Sequence, residues 1–400
     1  MPGLILAMPA NAHIPLAMLV VFASAKLLSE IFERLGQPGI AGEILAGVLI
    51  GPHVLGWLAP DEALQLLSGL GVMFLLFRVG LDVKSSELMR LGGTAVMVAV
   101  AGVILPFLMG WGICALWGEP HVESIFTGAA MVATSVGITA EVLASRGFLN
   151  TEAARVILGA AVVDDVLGLI VLALVSGLAS STVNYLDLGL TAAIAAGFTF
   201  FIARFGSRTV GHIMPRMQAN LTLAEGEFAL AMTLMFALSL LAIFAGIAAI
   251  VGAFLAGMAL SETVDRRVVD LTSGVTELLV PFFLVGIGME LDPHALGTRS
   301  AMGLGSAILA AAVISKFLGC GLGALHMGRK DALRVAVGMI PRGEVGIVVA
   351  QIGLKMHVMS EAMYGIVVFM SVVTTLLAPP LLKLVFREKP DTGEPVARLG

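Results

Sequence analysis

Two adjacent carboxylates stand in the middle of an apolar run, Gly159-Ala-Ala-Val-Val-Asp164-Asp165-Val-Leu-Gly168. Each charge at the centre of a membrane helix costs about 2.5–3.5 kcal/mol on insertion scales. Neighbouring residues on a helix point about 100° apart, so the two cannot simply turn away from lipid together. A polar pair satisfied within a bundle would be a structural explanation. The functional one is a site for a small cation and for protons. Hard monovalent cations take oxygen ligands, and carboxylates also bind protons, so one group serves both ions in competition.

Other polar residues in apolar runs could complete such a site. Lys316 lies in Val313-Ile-Ser-Lys316-Phe-Leu-Gly319. A lone buried lysine sheds its proton or needs an acid, and Asp164 or Asp165 is the expected partner. Thr134 and Ser135, in Ala133-Thr-Ser-Val-Gly-Ile-Thr139, offer hydroxyl oxygens. Arg342 and Glu344, in Met339-Ile-Pro-Arg-Gly-Glu-Val-Gly346, can pair with each other or neutralise helix ends. Glu43 and Arg78 are read as structural, with a mutual salt bridge as one expectation. Cys114 and Cys320 are packing residues. The spacing Gly323 to Gly328 is followed by Arg329-Lys330, so it is no phosphate loop, and no HExxH occurs. The chain is therefore expected to be no enzyme, to need no cofactor and to run on ion gradients.

The elements that must position these residues follow from composition. Of 400 residues 58% are apolar and 13% charged, with mean hydropathy +1.01. A soluble domain carries about 25% charged residues. This composition predicts an all-α integral membrane protein, because lipid offers no partner to open backbone groups. The net charge of −5 is small and says nothing of nucleic acid; no basic block precedes the C-terminal tail, and no nucleic-acid partner is expected. About thirteen spans are read at 13–33, 39–58, 63–80, 91–117, 122–145, 152–179, 187–205, 223–243, 246–261, 271–290, 300–326, 331–355 and 359–386. With the N-terminus outside, seventeen of the 23 Lys and Arg fall on the cytoplasmic side and two, Arg299 and Lys355, on the other. That bias fits the positive-inside rule, with the C-terminus cytoplasmic. The start, Met1 to Ala12, lacks the charge of a signal peptide.

Motifs recur at a fixed offset. Gly42-Glu-Ile-Leu-Ala-Gly47 resembles Gly252-Ala-Phe-Leu-Ala-Gly257, and Leu81-Asp82 recurs as Leu291-Asp292, both 210 residues on. Val136-Gly-Ile138 recurs as Val345-Gly-Ile347 at 209. The related spans are seven apart, an odd number, so they cross in opposite directions. Two inverted six-helix repeats joined by the seventh span follow. Spans five and twelve, repeat-related, carry Ser, Thr, Gly and Pro at mid-depth and are expected to be broken helices crossing in the core. Broken helices in corresponding positions point to a transporter site. A GxxxG face, Gly47 to Gly51, suggests a homodimer or, equally, close packing within the chain.

Ala133 to Thr139, Ala161-Val-Val-Asp164-Asp165-Val-Leu-Gly-Leu-Ile170 and Pro341-Arg-Gly-Glu-Val-Gly346 together resemble the bacterial NapA-type sodium/proton antiporters. These belong to the second branch of the monovalent cation:proton antiporters. Gln37-Pro38, Gly42-Glu43, Leu45 to Gly47 and Gly51-Pro52 extend the likeness over essentially the whole chain. The resemblance implies a mobile core, about 91–179 and 300–386. It also implies a dimerisation scaffold, about 13–80 and 223–290, and a linker helix, about 187–205. It implies that Asp165 is the main sodium-binding carboxylate and that Asp164 pairs with Lys316 when no cation is bound. Thr134, Ser135 and Glu344 match positions in the family's broken helices. Arg78 matches none. The expected activity is exchange of sodium (or lithium) for protons across the inner membrane, electrogenic with two protons per sodium. Potassium/proton exchange is the alternative.

Overall fold

The computed structural model describes residues 13–35, 37–83, 85–180, 185–218, 225–292 and 297–386. The uncharged start Met1 to Ala12 and the C-terminal tail lie outside them. The described residues form fifteen α-helices and no strand. In chain order these are α1 (His13–Arg34), α2 (Gly39–Ile50), α3 (Glu62–Leu81), α4 (Ser85–Trp117) and α5 (His121–Ala130). Next come α6 (Val136–Ser145), α7 (Glu152–Ser180), α8 (Tyr185–Gln218), α9 (Gly226–Phe244) and α10 (Ala249–Leu260). The last five are α11 (Arg266–Met289), α12 (Arg299–Gly323), α13 (Arg329–Gly338), α14 (Glu344–Lys355) and α15 (Glu361–Val385).

Each of the thirteen apolar runs contains helix, and two of them contain a pair of half-helices: α5 with α6, and α13 with α14. Among the described residues seven helices, α1, α3, α4, α9, α11, α12 and α15, are long and apolar enough to cross a membrane. Caps fit the boundaries. Asp61, Thr298 and Ser360 accept the amides of Leu64, Ala301 and Met363 and start α3, α12 and α15. The run expected at 39–58 is helical only to Ile50, because Gly51-Pro52 leads into a turn. Its repeat mate α10 is equally short at 12 residues. Twelve residues rise about 18 Å, less than a bilayer's apolar depth, so α2 and α10 are enclosed by longer helices.

Packing divides the helices into two groups. α4 lies against α5, α7 and α12, and α12 against α13 and α15, with α14 between α5 and α15. In the second group α2 packs on α1 and α11, α3 on α10 and α11, and α10 on α9. α8 touches both groups, through α10 and α9 on one side and α7 and α4 on the other. The groups also meet where α3 packs on α6 and α15 on α2.

Small residues set these approaches, as expected where lipid removes the hydrophobic drive for helix pairing. A Cβ added to Gly47 would lie 2.0 Å from the Val285 carbonyl on α11, and one at Gly257 2.1 Å from the Phe77 carbonyl on α3. Gly42 meets the Leu28 carbonyl as Gly252 meets that of Leu238. Positions 210 residues apart thus have neighbours 210 or nearly 210 residues apart. For the GxxxG face the same facts favour internal packing. Gly47 and Gly51 both press on α11 of their own chain, at Val285 and Met289, so this face is closed to a second copy.

Candidate functional site

The two half-helix pairs cross at their breaks. The Ser135 amide donates to the Pro341 carbonyl at 2.9 Å, so the two interruptions touch through backbone. Pro341 offers no amide of its own, and Gly343 permits the approach: a Cβ there would lie 2.6 Å from Ser135 Cβ and Oγ. Threonines from α15 hold the second break. Thr374 Oγ1 accepts the Arg342 amide at 3.2 Å, and Thr375 Oγ1 donates to the Arg342 carbonyl at 2.6 Å. On the other side Thr139 Oγ1 donates to the Gly338 carbonyl, the last of α13, at 2.8 Å.

Charge is matched to helix ends at this crossing. The chain leaves α5 with carbonyls at 131–133 that no helical turn takes up. Arg342, fully buried, directs Nη1 to the carbonyls of Met131, Val132 and Ala133, and Nη2 to that of Ala312 on α12. A guanidinium therefore sits at the negative end of one half-helix. Just before α6, at the positive end of the next half-helix, the Thr134 amide donates to Asp164 Oδ2 at 2.9 Å. Of the two roles open to Arg342, the structure displays the neutralisation of a helix end. The side chain of Glu344 lies outside the described residues; its backbone starts α14.

Asp164 and Asp165 separate as their 100° offset requires. Asp164, 1% exposed, faces inward and meets Lys316 from α12, whose Nζ is 3.2 and 3.1 Å from Oδ1 and Oδ2. Lys316 is fully buried. Asp165 faces the boundary between the helix groups. It lines a space of about 10 Å³ with Leu76 of α3, Val136 of α6 and Ile250, Val251 and Phe254 of α10. The hydroxyl oxygens of Thr134 and Ser135 are buried with no hydrogen-bond partner among the described residues. Such oxygens are suited to an ion or water ligand.

Cavities approach this place along α3 and along α6. One of about 330 Å³ is lined by Leu64, Ser68 and Gly69 near the start of α3 and reaches Arg342, Gly343 and Ser371 at the crossing. Leu76 then borders Asp165. Beyond it, a cavity of about 410 Å³ holds Glu43 and Glu141, with Arg146 and Lys383 also on its wall. Glu43 does not pair with Arg78 as one expectation had it. Its Oε1 takes Lys26 Nζ at 2.9 Å, because α1 packs directly on α2. Sequence reasoning passed over Thr374, Thr375 and Glu141. Two adjacent threonines and an acid within apolar helices were the available signals.

Comparison with known proteins agrees with this architecture. Residues 18–388 match the family described as sodium/hydrogen exchanger, transmembrane. The chain is 34% identical to the Na(+)/H(+)-K(+) antiporter GerN of Bacillus cereus, over 92% of this chain and 95% of that protein. It is also 34% identical to the high-affinity Na(+)/H(+) antiporter NhaS3 of Synechocystis, over 94% and 90%. The solved structure of the sodium proton antiporter MjNhaP1 from Methanocaldococcus jannaschii shares the fold, with a TM-score of 0.66, 20% identity and coverage of 94% and 97%. With its crossed half-helices and buried carboxylates in place, this chain belongs to the sodium/hydrogen exchanger family of monovalent cation:proton antiporters.

Proposed function

We propose that the chain exchanges sodium, or lithium, for protons, and that Asp165 is the carboxylate at which the two ions compete. One observation carries the reading: a buried Asp164–Lys316 pair, 3.1 Å apart, stands one residue from a second buried carboxylate at the boundary of two helix groups. Asp164 and Lys316 form the resting pair. Sodium bridges both carboxylates when it binds, with Thr134 and Ser135 supplying further oxygens. Arg342 and Glu344 support the crossing. No cofactor takes part, and no bond of a substrate is made or broken.

The helix group of α4 to α7 and α12 to α15 moves as the carrier, and the group of α1 to α3 and α9 to α11 stands still, linked by α8. What supports this is the place of Asp165 between the groups and the cavities that approach it. The protein spans the plasma membrane with its N-terminus outside and C-terminus in the cytoplasm, as the Lys and Arg distribution suggests. It works as a homodimer. Apolar residues of α1 and α9 left exposed by the chain itself, among them Leu19, Leu27, Leu240 and Phe244, offer surface for lipid and a second copy.

Purified protein in proteoliposomes tests the reading. Sodium or lithium added outside acid-loaded vesicles should release protons, and Asp165→Asn should fall to the rate of empty vesicles while remaining folded. An amide keeps the shape but neither titrates nor carries full charge. Exchange by Asp165→Asn at wild-type rate sinks the assignment. Activity with potassium alone would favour the alternative cargo, which GerN's name also includes.

A further inference from the structure

The cavity beyond Asp165 holds acids that the exchange site does not use. Its volume is about 410 Å³; α1 and α2 line one wall, with Glu33 and Glu43, and α6 lines the other, with Glu141 and Ser145. Glu43 is 5% exposed, and Lys26 serves only its Oε1. Its Oε2 is buried and has no hydrogen-bond partner among the described residues, and the same is true of Glu141 Oε2. Buried oxygens of this kind call for an ion or water.

Charges act on Glu141 from four helices: Arg78 of α3, Glu43 of α2, Lys26 of α1 and Glu277 of α11. Two cations thus face three carboxylates. Glu33 and Arg146 are exposed, and Lys383 is partly so. Water screens these groups more than the inner ones. Glu141 follows Val136, which borders Asp165, by five residues, about 7.5 Å of helical rise.

We propose that Glu43 and Glu141 are the oxygen ligands of a second monovalent-cation site, which sodium occupies between this cavity and Asp165. Its cargo rests on the exchange reading above; cation binding by itself does not. Two carboxylates give a hard cation the ligands it prefers. Lys26, with its side chain 47% exposed, can turn to water when a cation takes its place at Glu43. The ligands come from opposite helix groups, so a bound cation also ties the groups together at this end.

The test removes the main carboxylate first. The purified full chain carrying Asp165→Asn is heated in detergent with sodium chloride, and with choline chloride at equal ionic strength. Sodium at ten times its Kd should raise Tm by about 2 °C, and choline should not. Adding Glu141→Gln should abolish that rise, and adding Glu141→Asp should keep part of it. If the Gln variant folds poorly, Glu43→Gln asks the same question from the other wall. The proposal is overturned if the rise survives Glu141→Gln or Glu43→Gln, if choline produces it equally, or if Asp165→Asn shows none. Sodium-driven proton release by the wild type is measured alongside. Its absence would overturn the exchange reading alone, and its presence with a rise independent of Glu141 would overturn the second site alone.

Discussion

Lys316 and Arg342 are both fully buried cations, yet their surroundings differ in kind. Lys316 faces a carboxylate whose charge can change when an ion binds nearby. Arg342 faces carbonyl oxygens, whose partial charges are fixed. The first arrangement suits a cycling group and the second a permanent brace. Replacing Lys316 by methionine leaves Asp164 a buried charge with its cation removed, a change that costs about 3–5 kcal/mol when a buried pair is broken. Lys316→Met should therefore lower Tm in detergent, and Asp164→Asn added to it should restore part of the loss. Arg342→Lys keeps the charge but not the planar fork that reaches α5 and α12 together. It should lower Tm and slow exchange, and Arg342→Ala should do so more strongly, by roughly 3 kcal/mol or more. Thermal unfolding paired with proteoliposome rates checks both. An Arg342→Ala protein as stable as wild type would show that the α5 carbonyls need no cation.

At the scale of the element, the half-helix crossing depends on a few positions with no room for a side chain. A methyl group at Gly343 would meet Ser135 at 2.6 Å, and the Ser135–Pro341 backbone bond lies within the same turn of chain. Gly343→Ala should force the breaks apart, weaken sodium affinity measured by exchange, and lower stability by about 1–3 kcal/mol, as overpacking does. Gly47 and Gly257 make a second, paired prediction. Each would place a Cβ about as close to a carbonyl of the opposite repeat, 2.0 and 2.1 Å. Gly47→Ala and Gly257→Ala should lower Tm by similar amounts. A large difference between them would mean that the two copies carry unequal loads. Thr374 and Thr375 belong to the same element, since they supply the hydrogen bonds that the backbone around Arg342 lacks at the break.

For the whole molecule the pair Asp164–Lys316 has an electrical consequence. Take the proton-loaded site as neutral Asp165 beside the ion pair. Its net charge is zero, and two protons are exchangeable, one on Asp165 and one on Lys316. On the proposed scheme, sodium bridging both carboxylates would leave Lys316 without its counter-charge in a dry site, and the lysine would release its proton. The sodium-loaded site then carries a net charge of about −1 by this accounting, so exchange of two protons for one sodium moves charge. Membrane potential should drive it by about 2.3 kcal/mol per 100 mV per charge moved. The sodium/proton balance point in voltage-clamped proteoliposomes should shift with imposed potential, and Lys316→Met should reduce or remove that shift. A wild-type balance point that ignores voltage rules the scheme out. Native mass measurement in mild detergent should give a dimer; monomers alone would count against it.

Much of this was legible before any coordinates. Scarce charge and recurrent apolar runs dictated a helical membrane protein, since a buried backbone must satisfy itself. Pro341 and Gly343 marked one break, and Thr134 and Ser135 the other, because helix interruption is a local property of residue type. That Lys316 needs an acid followed from desolvation alone. Partner choice did not follow in the same way. The resemblance implied Asp164 as the partner of Lys316, which the residues alone left open; tertiary packing made that pair, turned Asp165 to the group boundary, gave Glu43 to Lys26 instead of Arg78, and aimed Arg342 at the α5 carbonyls. It also closed Gly47 and Gly51 against α11 and brought Thr374 and Thr375 to a break more than 30 residues away in sequence. Each of these depends on the direction a side chain takes between helices remote in the chain. Local sequence can say that a buried charge or an open carbonyl requires a partner; only the packing of distant helices selects which one.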